Sequence, residues 1–173
     1  MNLYTAGPIG YETADRYYKE NTEYLNERFA GSYIKSFLKL KETSADKELF
    51  ESKGLICRDI QEGGLFAALW ALCEELEAGC IINAAALNVP QEVVEMAELS
   101  GVNPFEVSSE GAFLLACEAG PEVLKEMLPE AAFLTRIGET TKNKVRIIIN
   151  GENKRFLTPP ERQAKDLANI GRQ

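Results

Sequence analysis

Residues 58–75 read RDIQEGGLFAALWALCEE, and this stretch decides the fold. Leu55 to Ile60 is short, apolar and bounded by Gly54, as a strand is. Gln61, Glu62, Gly63 and Gly64 make a turn. Leu65, Leu69, Leu72, Cys73 and Leu76 then recur at helical spacing, which predicts a helix over 64–78, stopped by Gly79. Strand, glycine turn and helix in succession point to a layered domain in which helices pack on a sheet.

The same turn is the first candidate site. Gly63 and Gly64 allow a backbone to approach a ligand closely. The first amides of the following helix lack internal partners and carry partial positive charge, so an anion such as phosphate is favoured there. Asp59 can orient the loop, cap an amide or hold a metal, and Gln61 faces the same turn. A plain tight turn with Asp59 as its cap uses the same residues equally well.

Toward the amino terminus, Leu3 to Ala6 reads as a strand entering Gly7–Pro8–Ile9–Gly10, a second candidate ligand-facing loop or an ordinary turn. Residues 13–29 follow as one helix with Tyr18, Leu25 and Phe29 inward, then a helix from Ser32 with Tyr33, Phe37 and Leu40 inward. A short helix over 44–53 ends at Gly54.

Toward the carboxy terminus, Cys80–Ile82 reads as a strand and 91–100 as a helix ending at Gly101. Ser108–Ser109–Glu110–Gly111 precedes Phe113–Cys117, an unbroken apolar run typical of a strand covered on both faces. Glu110 and Gly111 there are the third candidate, facing a cleft or making a polar turn. Gly120–Pro121 opens a helix to about Leu128. Ala132–Ile137 and Val145–Ile149 are strand candidates, and Asn150–Gly151 turns the second back through Arg155–Leu157. One domain over 1–160 and a polar tail over 161–173 result, in the α+β class: a mixed β-sheet with packed helices.

Composition narrows the chemistry. The 173 residues suit one domain, with 45% hydrophobic and 27% charged residues. Acidic residues outnumber basic ones 27 to 19, a net charge of −8, which disfavours nucleic acid as a partner. There is no histidine, which excludes His-based triads, metal sites and pH switches. Cys57, Cys73, Cys80 and Cys117 form no CxxC pair and read as reduced core thiols. No residue is assigned a catalytic role and no metal site is assigned. The opening carries no signal-peptide pattern, and no apolar run approaches the ~20 residues of a membrane span. A cytoplasmic protein without membrane contact is expected.

Four segments, in order, resemble a known superfamily. Arg58–Glu75 resembles the D-x-T-x-GG-L loop and helix of the aminoimidazole ribonucleotide synthetase (PurM) superfamily. Members include HypE, selenophosphate synthetase and thiamine-monophosphate kinase. SGVNPFEVSSEGAFLLAC, residues 100–117, resembles its second motif; RIGETT with VRIII, residues 136–149, its third. AGPIGYE, residues 6–12, resembles the opening of the family's carboxy-terminal domain, with HypE-like proteins nearest. Each motif alone is weak, and order and spacing make the set specific.

The resemblance implies a PurM carboxy-terminal-type domain without the amino-terminal domain that supplies most ATP and metal residues. ATP and magnesium are then expected only where a partner domain supplies the nucleotide site. A subunit or binding module follows, contributing a phosphate-side wall as a homodimer or as a heteromer with such an ATP-binding protein. The alternative is a non-catalytic regulatory protein of the same fold that binds a small anionic ligand. A complete ATP-dependent maturation-type enzyme is less expected, and the isolated chain is not expected to be an enzyme. Two departures stand out. The family threonine is Gln61, and no cysteine follows Cys117 to serve as the carbamoyl acceptor of HypE.

Overall fold

The computed structural model describes residues 1–160, so the tail read over 161–173 lies outside the described residues. Seven strands form one sheet: β1 (Asn2–Ala6), β2 (Ile56–Asp59), β3 (Gly79–Asn83), β4 (Phe113–Cys117), β5 (Thr135–Thr141), β6 (Arg146–Asn150) and β7 (Asn153–Phe156). Their spatial order is β2-β4-β1-β5-β3-β6-β7. The β3–β6 pair is parallel and the other five are antiparallel, so the sheet is mixed and the class is α+β, as the sequence predicts.

Interior strand β4, next to the β2 edge, explains the arrangement. All five of its residues are buried. Leu114 and Ala116 face one layer, and Phe113, Leu115 and Cys117 the other, because successive side chains alternate. The first layer is α5 (Gly64–Glu75), whose Leu65, Leu69, Leu72 and Cys73 pack on Leu3, Cys80, Ile82 and Ile148. The second is α4 (Lys47–Ser52) with α7 (Pro121–Met127), whose Phe50 and Leu124 pack on Tyr4 and Leu115. A fully buried Leu such as Leu69 contributes roughly 1.5–3 kcal/mol, so α5 is the main clamp on its face.

A third cluster joins α1 (Tyr11–Glu20), α2 (Thr22–Arg28), α3 (Gly31–Lys39) and α6 (Gln91–Ser100) through Tyr11, Leu25, Phe37 and Met96. Here the continuous helix expected over 13–29 is corrected to two. Asn21 interrupts it: its side-chain amide donates to the Tyr17 carbonyl, and the Thr22 hydroxyl donates to Tyr18. Polar side chains that compete for backbone carbonyls break helices in this way. Several boundaries also move, two of them for visible reasons. Helix α5 stops at Glu75, because Glu77 takes φ 48 and the Ala78 amide turns back to the Cys73 carbonyl. Strand β5 starts only at Thr135, after Phe133 takes φ 54. Among the described residues no helix is long and apolar enough to cross a membrane.

Candidate functional site

Strand β2 is an edge strand, and its last residue, Asp59, pairs in register with Phe113 at the start of β4. The chain leaving β2 and the chain entering β4 therefore emerge side by side. The Ser109 amide ties them by donating to the Ile60 carbonyl at 2.9 Å. A third loop closes over both. The Gly10 amide donates to Ser109 Oγ at 2.7 Å. Glu12, in the first turn of α1, accepts from the Ser108 hydroxyl at 2.6 Å and from the Glu110 amide at 3.0 Å. Ser109 is buried, so its hydroxyl must be paired, and it also donates to the Val107 carbonyl.

These loops border a cleft of about 300 Å³ lined by Glu12, Asp59, Gln61, Ser108, Glu110 and Gly111. It shares Asp59 and Gln61 with a recess of about 240 Å³ that adds Lys47, Cys57 and Arg58. On its other side it shares Glu12, Glu110 and Gly111 with a pocket of about 520 Å³ walled by Tyr11, Lys41 and Ser44. Four of the eight sequence-derived candidates, Asp59, Gln61, Glu110 and Gly111, thus meet in one place.

The other four are placed differently. Gly63 and Gly64, both left-handed (φ 82 and 68), begin α5, and neither is among the residues lining these clefts. A Cβ on Gly64 would strike the Phe105 carbonyl and the Glu106 backbone. The Gly64 amide is spent on the Gln61 carbonyl at 2.8 Å, and the Phe66 amide points to the Phe105 carbonyl. The close approach read from the sequence is present, but its object is the chain's own 105–106 loop. Gly7 plays the same part against the Gly111 carbonyl, and Gly10 packs on Pro104 and Val93. Gly7, Gly10 and Gly64 thus sit against other segments of the chain itself.

The charges of the cleft are mostly paired. Lys47 Nζ lies 2.5 Å from Asp59 Oδ2, and Lys19 lies 2.5 Å from Asp15. The Asp59 hydrogen bond raises the Lys47 ammonium above the usual lysine range. Arg58 pairs with Glu75 of α5. Burial pushes the Cys57 thiol up to about 12, with Lys47 opposing, so it is a neutral thiol and not a ready nucleophile. Burial, with a smaller push from Asp15, raises the Tyr11 phenol to about 12.

Among the described residues no group of three or more Cys, Asp and Glu side chains is placed to hold a metal. Two of the α5 amides that would cradle a phosphate are engaged with the protein. Glu12, Lys47 and Ser108 are site residues that the candidates from sequence omit. Glu12 was visible in the AGPIGYE segment, whereas Lys47 reaches the cleft only through the packing of α4 beside β2.

No family model matches the sequence, and no curated sequence matches it at a significant level. Solved structures do resemble the fold. A hydrogenase maturation protein HypE superposes with a TM-score of 0.65 at 18% identity, over 91% of this chain and 52% of that one. HypE from E. coli gives 0.66 at 19% identity, over 91% and 49%. Thiamine-monophosphate kinase from Stenotrophomonas maltophilia gives 0.59 at 16% identity, over 85% and 49%. The chain spans about half the length of each. It has the PurM-type fold that these proteins share.

Proposed function

We propose that this chain is the half of a PurM-type assembly that supplies one wall of a ligand site, completed by a separate ATP-binding domain. The observation that carries the reading is the meeting of the Asp59–Gln61 and Ser108–Gly111 segments in one cleft at the ends of β2 and β4. Three further features support an incomplete site. Among the described residues the cleft's carboxylates form no cluster of three, two of the three lysines around it are paired, and the α5 mouth is partly occupied by protein carbonyls. A second domain would add the missing donors. In this reading Asp59, Gln61, Glu110 and Gly111 face the ligand, Lys47 supplies its positive edge, and the glycines hold the loops in place.

The test is assembly with an amino-terminal ATP-binding domain of the AIR-synthase type encoded in the same genome. The expected result is a complex that binds ATP–magnesium by calorimetry, with affinity reduced in Lys47→Ala. Absence of a complex with every such domain in the genome counts against the reading.

The alternative is a regulatory module that binds a small anionic ligand alone. The pocket of about 520 Å³, which falls within the range of small-molecule sites, favours it. Lys41, exposed on its wall, is the anion-attracting group there. Saturable binding of a phosphorylated metabolite by the isolated chain, lost in Lys41→Ala, selects this reading over the first.

A further inference from the structure

Among the described residues, the far end of the sheet from the cleft carries an apolar face that none of the three hydrophobic clusters includes. On the face where Tyr4 and Leu115 are covered by α4 and α7, the continuation across β5, β3, β6 and β7 presents Ile81, Ile147, Ile149 and Phe156. Ile81 is 36% exposed and Phe156 72%. Two charges border this patch on β5. Arg136 and Glu139 lie on the same face, 2.9 Å apart, with Arg136 also held by Asn2.

The register places these residues in two rows across the strands. Glu139, Ile81, Ile147 and Phe156 are cross-strand partners and form one row. Asn83, Ile149 and Lys154 form the next, with Arg136 farther along β5 on the same side as that row. A twofold axis in the plane of the face, running across the strands between the rows, exchanges them. Each Glu139 then meets the Arg136 of the copy, each Ile147 meets an Ile149, and each Phe156 meets the stem of a Lys154. Such a contact is isologous, and both charges are answered twice. An axis along the strands would instead set Arg136 against Lys154, like against like.

We propose that this face is the contact between two copies of the chain, with reciprocal Arg136–Glu139 pairs fixing its register. The inference is independent of the cleft, which lies at the β2 end of the same sheet. Apolar centre with charged border is the anatomy of a protein interface. Edge strand β7, beside this face, carries Lys154 and Arg155, which guard it against edge-to-edge pairing.

The test is sedimentation equilibrium of the full chain and of two charge reversals, Arg136→Glu and Glu139→Arg. The parent is expected to be a dimer at micromolar concentration. Each reversal alone sets like charges together twice and should weaken dimerisation about tenfold or more. Mixing the two variants restores both pairs, so the mixture should dimerise where neither variant does. A purely intramolecular Arg136–Glu139 role would not be rescued by mixing. A monomeric parent overturns the proposal, as does a dimer indifferent to both reversals or a mixture that stays monomeric.

Discussion

The Glu12 carboxylate accepts the backbone amide of Glu110 at 3.0 Å, joining loops 98 residues apart in sequence. The same oxygen holds the Ser108 hydroxyl. Removing the carboxylate loses a charge-assisted bond to an exposed N–H and another to a half-buried O–H. Glu12→Ala should therefore cost about 1–3 kcal/mol in urea unfolding. Glu12→Gln keeps an acceptor oxygen and should recover roughly half of that loss. Equal stability of parent and Glu12→Ala would show that the bridge does not hold the cleft.

Gly64 and Gly54 share a left-handed backbone and differ in surroundings. At Gly54 a Cβ meets nothing within 4 Å, whereas at Gly64 it meets backbone. Gly54→Ala should cost about 1 kcal/mol from strain alone. Gly64→Ala adds a collision that no rotamer relieves and should cost about 2–5 kcal/mol. Equal losses from the two would place Gly64 in open space.

Much of this was legible in the sequence, for reasons that differ by residue. The five apolar residues from Phe113 to Cys117 announce a strand covered on both faces, and every one is buried. Gly64 is visible as a close-approach glycine, but sequence does not say what approaches. It is the 105–106 loop, brought there by tertiary packing. Asn21 falls inside the helical pattern over 13–29, and its bond to Tyr17 reveals the break. Lys47 lies in a short helix with no motif. Its place beside Asp59 depends on α4 packing against β2.

The thiol of Cys57 and the phenol of Tyr11 make stability sensitive to alkali. Both are held protonated in the fold, Cys57 from 9.0 to about 12 and Tyr11 from 10.0 to about 12. The unfolded chain releases these protons first, so stability is full below pH 9 and falls as pH rises toward 12. Melting temperatures of the parent should drop across that window, and Cys57→Ala should drop less. Superimposable profiles would remove Cys57 from the account.

The Lys47–Asp59 pair is partly exposed, with side-chain exposures of 39% and 44%. Its contribution to stability should be under about 1 kcal/mol, so Lys47→Ala should melt close to the parent. Its effect on ligand binding in the completed assembly should be much larger. A large loss of stability in Lys47→Ala would assign the pair to folding and not to the cleft.

ATP turnover measured three ways puts the half-site proposal to its sharpest trial: the chain alone, a partner ATP-binding domain alone, and the two mixed. Turnover should rise only in the mixture and should fall when the chain carries Asp59→Asn. Full turnover by the chain alone, or a mixture no faster than the partner domain, would contradict it.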